Sequence, residues 1–191
     1  MTSVLIETGA TWTWASALEW PGWCRRGKGE EAALEELLAY ADRYQKVVPG
    51  FRPGKVTVVD TVVGPRLNEW APSVTHASEE ALPTEPELDA LERCWVAFDA
   101  AVEASGVTLA KGPRGGGRDR DAIADHVREA ERSYGRKVGV RVPPRTPWAE
   151  QRVEILAGLR APEGPWLPRY AVRRIAWHVL DHAWEIQDKQ V

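Results

Sequence analysis

The sequence predicts an α+β protein: a small N-terminal β-β-α-β unit followed by four helices packed as a bundle. Two observations carry this. Runs of β-branched and alternating residues are confined to the first 65 or so of the 191 residues. Beyond Pro86 the apolar residues recur instead at three- and four-residue steps, in four separate stretches. The expected division is a strand-strand-helix-strand unit over 1–65, a linker over 66–86 and a helical domain over 87–191.

Val4 to Ile6 and Thr11 to Ala17 read as a strand pair around Gly9, the second placing Trp12 and Trp14 on one face. Glu19-Trp20-Pro21-Gly22-Trp23 is a turn signal, and Arg25 to Gly29 follow as more connecting chain. Leu34, Leu37, Leu38, Ala41 and Tyr44 lie on one helical face that Pro49 ends, with Glu30, Glu31, Glu35 and Glu36 on its wet side. Lys55 to Val63 is a third strand. A unit this small needs the rest of the chain for cover.

Pro65, Pro72, Pro83 and Pro86 punctuate the linker, where His76 reads as a plain surface residue. Thr84-Glu85-Pro86-Glu87 matches a capping box and opens a stripe of Leu88, Leu91, Trp95, Phe98 and Val102. Asp119 is a candidate cap for a second helix with Ile123, His126, Val127, Ala130 and Tyr134 facing inward. Thr146-Pro147 opens a third with Trp148, Arg152, Ile155, Leu156 and Leu159 on one side. Pro168 opens the fourth, in which Ile175, His178, His182 and Glu185 share a stripe.

Composition excludes several classes of function. With 25 basic and 28 acidic side chains the net charge is −3, which argues against a nucleic-acid partner. No apolar run approaches the roughly 18 residues of a membrane span, and no signal peptide is visible at Met1 to Glu7. A cytoplasmic protein without membrane partners is the expectation. Cys24 and Cys94 are too few and too far apart for a metal knuckle or a disulfide framework.

The chemistry lies in the histidines. His178 and His182 are four residues apart in one helix, so about 40° separates them around the axis and both imidazoles point the same way. Such a pair offers two nitrogens to one divalent ion, and a third must come from another helix. His126 reaches a similar level if the second and fourth helices run antiparallel. A three-histidine set leaves a position open for water or substrate, as a catalytic site requires.

The segments Ile123 to Glu131 and Trp177 to Glu185 resemble the metal-binding helices of the DinB-like superfamily of four-helix bundles, over about residues 85 to 189. The resemblance implies that His126, His178 and His182 bind a divalent transition metal, zinc or nickel. It also implies a thiol-dependent S-transferase or isomerase that uses a low-molecular-weight thiol such as mycothiol on a small-molecule substrate, and a homodimer paired through helices. Residues 10 to 45, with Ala15 to Trp23, Gly27-Lys28 and a Glu- and Ala-rich helix, are weakly similar to the HicB-like antitoxin domain. Trp20, Trp23 and Arg25-Arg26 depart from its small-residue turn.

The loop Arg114 to Arg120 is rich in glycine and guanidinium just before a helix, so Arg114 and Arg118 are candidates to hold a cofactor acid group. It lacks the lysine and hydroxyl residue of a nucleotide-binding loop. The sequence leaves two readings open: a metal-dependent enzyme, or a non-catalytic module in which an ion only ties helices together. A cavity beside the histidines would separate them, and Trp177, Tyr134, Trp95 and Arg132 are the residues placed to line or fill it.

Overall fold

The computed structural model describes residues 1–113 and 116–191 and is mixed α+β: a four-stranded sheet at the N-terminal end and six α-helices. Strands β1 (Thr2–Thr8), β2 (Thr13–Ala17), β3 (Cys24–Gly27) and β4 (Val56–Val63) stand in the order β3-β2-β1-β4. β1 pairs antiparallel with β2 and parallel with β4, while β2 pairs antiparallel with β3. The parallel pair needs a crossover, which α1 (Glu30–Ala39) and α2 (Ala41–Val47) supply.

Two features differ from the sequence expectation. β3 was expected to be connecting chain, because Cys24-Arg25-Arg26-Gly27 has neither alternation nor β-branched residues. It forms because the Pro21-Gly22 turn, with Gly22 at φ 92°, brings it back against β2. A side chain at Gly22 would also meet Leu180 at 2.9 Å, so the turn and the last helix fix each other. The single helix expected over Leu34 to Tyr44 is broken at Tyr40 into α1 and α2.

The sheet is covered on both faces. Val4, Ile6, Ala15 and Ala17 join a core with Ala33 and Leu37 of α1, where Trp23, Tyr44 and Phe51 pack ring to ring. The opposite face carries Leu5, Glu7, Trp14, Ser16 and Cys24, in the register that pairs Glu7 with Trp14 and Ser16 with Cys24. Trp14 packs edge-on against Trp177, whereas Trp12 is only half-buried beneath Arg26. Both cysteines are buried free thiols, and burial raises the Cys24 thiol to about 12.

The segment 66–86 is not slack. It forms two 3-10 turns, Arg66–Glu69 and Ala77–Glu80, and lies across the second face of the sheet. Buried Glu7 accepts bonds from the Ser73 amide and hydroxyl and from the Val74 amide, at 2.7 to 3.0 Å. The Trp14 indole donates to the Asn68 carbonyl at 2.6 Å. His76 caps the second turn, accepting from the Ser78 amide, rather than standing free in solvent. Glu79 of that turn is buried against Arg173, with contacts of 2.6 and 3.0 Å.

The remaining helices are α3 (Glu85–Ala104), α4 (Arg120–Lys137), α5 (Trp148–Arg160) and α6 (Pro168–Asp188). The Thr84 amide and hydroxyl both bond Glu87, starting α3 where the capping pattern places it. Asp119 does not cap α4 through its side chain; that carboxylate bonds the Leu109 amide and Lys111 instead. α5 begins at Trp148, so Pro147 holds the cap position expected of Thr146.

Helix directions follow from side-chain contacts. Arg169 meets Glu87 near the start of α6 and α3, and Trp184 and Ala97 line one groove near their other ends, so the two are parallel. His182 and His178 meet His126 while Arg174 meets Tyr134, so α4 runs antiparallel to α6. Arg152 pairs with Asp99 and Arg160 with Glu85, which sets α5 antiparallel to α3. The core line of α4 is Ile123, Val127, Glu131 and Gly135, with His126, Ala130 and Tyr134 beside it. Glu131 is fully buried, bonded to the Trp148 indole and to Arg152. Among the described residues no helix is long and apolar enough to cross a membrane.

Arg173 and Glu79 are each only 2% exposed, so removing the carboxylate strands a buried guanidinium. Glu79→Gln is expected to destabilise the fold by about 3–5 kcal/mol in urea unfolding. A loss below about 1 kcal/mol would show that the seating of segment 66–86 on α6 does not depend on the pair.

Candidate metal centre

α4 and α6 carry the histidines. His126 stands beside the buried line of α4, at the border between core and solvent, and is half-buried. His178 and His182 are one turn apart on α6. Because the two helices are antiparallel, the three rings converge: centroids lie 5.1 Å apart for His126 and His178, 5.0 Å for His126 and His182, and 4.7 Å for His178 and His182. One ligand atom from each lies within 4.8 Å of the others. The site expected from the spacing of His126, His178 and His182 is thus assembled in the fold.

The nitrogens fit an ion of the zinc class. His126 Nε2 and His178 Nε2 are 3.2 Å apart. Two nitrogens at ~2.0–2.1 Å from one tetrahedral ion are separated by about 3.3 Å, close to this spacing. His182 Nδ1 lies 2.8 Å from Glu185 Oε2, so that nitrogen donates to the carboxylate and leaves Nε2 as the lone-pair side. The bond from His182, helped by Lys189, pulls the Glu185 carboxyl down to about 2, so it is charged across the working range.

The environment favours the neutral, ligating form of His178 and His126. Burial depresses His178 well below the ordinary imidazole value, and repulsion from His182 and His126 adds to it. His126 is lowered by the same causes, burial first and then the His182 charge. Arg118 is exposed, and its charge adds a smaller contribution to the lowering of both rings. Arg114, its expected companion, lies outside the described residues.

Aromatic side chains wall the buried side. The Tyr134 ring stands edge-on to His178 at 5.6 Å, Trp166 lies 5.3 Å from Tyr134, and Trp177 lies 6.0 Å from His178. Trp95 and Arg132 do not join them: Trp95 packs with Arg152, and Arg132 pairs with Glu129 on α4. A cleft of about 340 Å³, lined by Arg25, Arg26, Tyr40, Asp181, Trp184, Glu185 and Asp188, opens on the solvent side of Glu185. Of the two carboxylates the sequence offers as partners of the histidine pair, Asp181 and Glu185, it is Glu185 that bonds His182, from three residues further along one helix face. Arg174, a neighbour of the site, was missed.

No protein family matches the chain, and no curated protein or solved structure matches it either.

His178 refuses a proton that an unfolded imidazole accepts at about 6.5, so the unfolded chain binds more protons below that value. Stability of the metal-stripped protein is therefore expected to fall as pH drops below about 6.5, and to fall less in His178→Gln. Urea midpoints between pH 7.5 and 5.5 give the comparison, and equal losses in the two proteins would refute it.

Proposed function

We propose that His126, His178 and His182 hold one divalent transition ion, zinc or nickel, in a DinB-like four-helix bundle that acts on a small thiol as an S-transferase or isomerase. The observation that carries this reading is the convergence of three imidazole nitrogens from two antiparallel helices within 4.8 Å. The tetrahedral spacing of the two Nε2 atoms and the neutral state imposed on His178 support it. So does the sequence likeness of these two helices to the DinB-like metal-binding helices. When bound, the ion supplies Lewis acidity that favours thiolate over thiol, the nucleophilic form.

The chain's own groups set the rest. Glu185 fixes the tautomer and ring plane of His182. Burial of His178 between Tyr134 and Trp177 keeps water from one side of the site. Arg118 adds positive charge on the exposed side. The cluster has three donors among the described residues, which leaves one tetrahedral position for water or substrate. The depth of His178, 7% exposed, favours the competing reading of an ion that only ties α4 to α6. An exchangeable position at the ion separates the two.

Protein purified without a histidine tag is expected to carry one ion per chain, lost on changing both His178 and His182 to Ala and kept on His76→Ala. Re-addition should raise Tm by mass action, and the gain should shrink as pH falls and the imidazoles protonate, at a pH below the ordinary imidazole range because burial depresses His178 and His126. Cobalt-substituted protein should gain a sulfur-to-metal charge-transfer band with a small thiol. A bound ion with no response to any thiol would leave the structural role, and a metal-free wild type would remove the centre.

A further inference from the structure

Among the described residues three arginines are buried, Arg152, Arg173 and Arg174, and two of them have carboxylates. Arg152 pairs with Asp99 and Glu131, and Arg173 with Glu79. Arg174, 7% exposed, has no carboxylate partner among the described residues. One amino group donates to the Pro72 carbonyl at 3.0 Å; the other reaches the Tyr134 hydroxyl only at 3.4 Å; Nε has no partner at all. Its guanidinium lies 4.8 Å from the Trp177 ring centroid, and cation–π attraction compensates burial only in part.

Arg174 is not alone. The Trp177 indole N–H and His178 Nδ1 are likewise buried without partners. Residues 174, 177 and 178 stand at i, i+3 and i+4, so three unsatisfied polar groups share one side of α6, next to the triad. Tyr134 touches both ends of the group, its hydroxyl at Arg174 and its ring at His178.

We infer that Arg174, with the Trp177 indole and the Tyr134 hydroxyl, forms a subsite for the carboxylate of the thiol ligand. The inference rests on the metal reading above. A carboxylate there would accept from the guanidinium in place of the long Tyr134 contact and supply the missing countercharge. Arg174 lies one helical turn, about 6 Å along the axis, from His178. The ligand class is therefore a small mercapto acid whose carboxylate and sulfur are separated by a few bonds.

Calorimetric titration of zinc-loaded protein tests this with 3-mercaptopropionate and 4-mercaptobutyrate against the neutral 2-mercaptoethanol and 3-mercaptopropanol, with sodium acetate as a sulfur-free control. The acidic thiols are expected to bind at least tenfold tighter than the neutral ones, and acetate to compete with them. Arg174→Gln should abolish that difference without changing zinc stoichiometry or the affinity of neutral thiols. Trp177→Phe, which removes only the N–H and a little ring area, should narrow it, and Arg174→Lys should keep part of it. Arg118→Ala should leave the tenfold gap largely in place. One zinc per chain with equal affinity for acidic and neutral thiols in the wild type overturns the inference alone, whether or not the variants fold. A chain that takes up no zinc overturns the metal centre and the inference with it.

Discussion

Helix α6 is buried along nearly its whole length while carrying three arginines and two histidines, and satisfying those groups constrains everything packed around it. A buried guanidinium costs several kcal/mol unless it is paired, so Arg173 needs a carboxylate brought from elsewhere in the chain. Glu79 supplies it, 94 residues earlier in sequence, and the segment between sheet and helices is thereby drawn onto α6. Once that segment is held, its Ser73 and Val74 amides reach Glu7 and its Asn68 carbonyl reaches Trp14. The sheet is thus anchored through polar contacts as much as through apolar burial.

The same helix fixes the candidate centre. Its antiparallel run against α4 brings His126 level with the pair, and the packing of Trp177 on Trp14 and of Leu180 over Gly22 ties the orientation of α6 to the sheet. Ligand geometry must be held to a fraction of an ångström, which a helix locked on several sides provides better than a loop. Glu185 completes the arrangement on the exposed side, where its charge is shared with Lys189. The burial that rigidifies α6 also keeps His178 neutral, so packing and ligand chemistry have one cause.

The elements legible in the sequence were those set by periodicity or capping. The Thr84 start of α3, β1, the β-branched β4 and the long apolar stripes of α5 and α6 all depend on residues near one another in the chain. The histidine cluster was legible for the same reason: four-residue spacing on one helix is local, and only its antiparallel partner had to be supposed. β3 was not, because Cys24 to Gly27 are strand only by virtue of β2 beside them and α1 above. Nor were the buried acids. Glu79 and Glu131 look like surface residues in a polar stretch, and only Arg173 and the Trp148–Arg152 pair, distant in sequence, make their burial affordable.

The buried polar groups are satisfied unevenly. Glu7, Glu79 and Glu131 each have at least two donors, so this fold does pair its buried charges where pairing serves stability. Among the described residues, the unsatisfied side-chain groups on α6 fall at Arg173, Arg174, Trp177 and His178, within about one and a half turns. Three imidazoles packed within about 5 Å add mutual repulsion as soon as more than one is charged, a cost that grows with acidity. Apolar side chains of similar volume at these positions would pack without either penalty. A region that departs from the local rule while its surroundings obey it is where function is expected to be paid for in stability, and here that region is the inner face of α6 around His178.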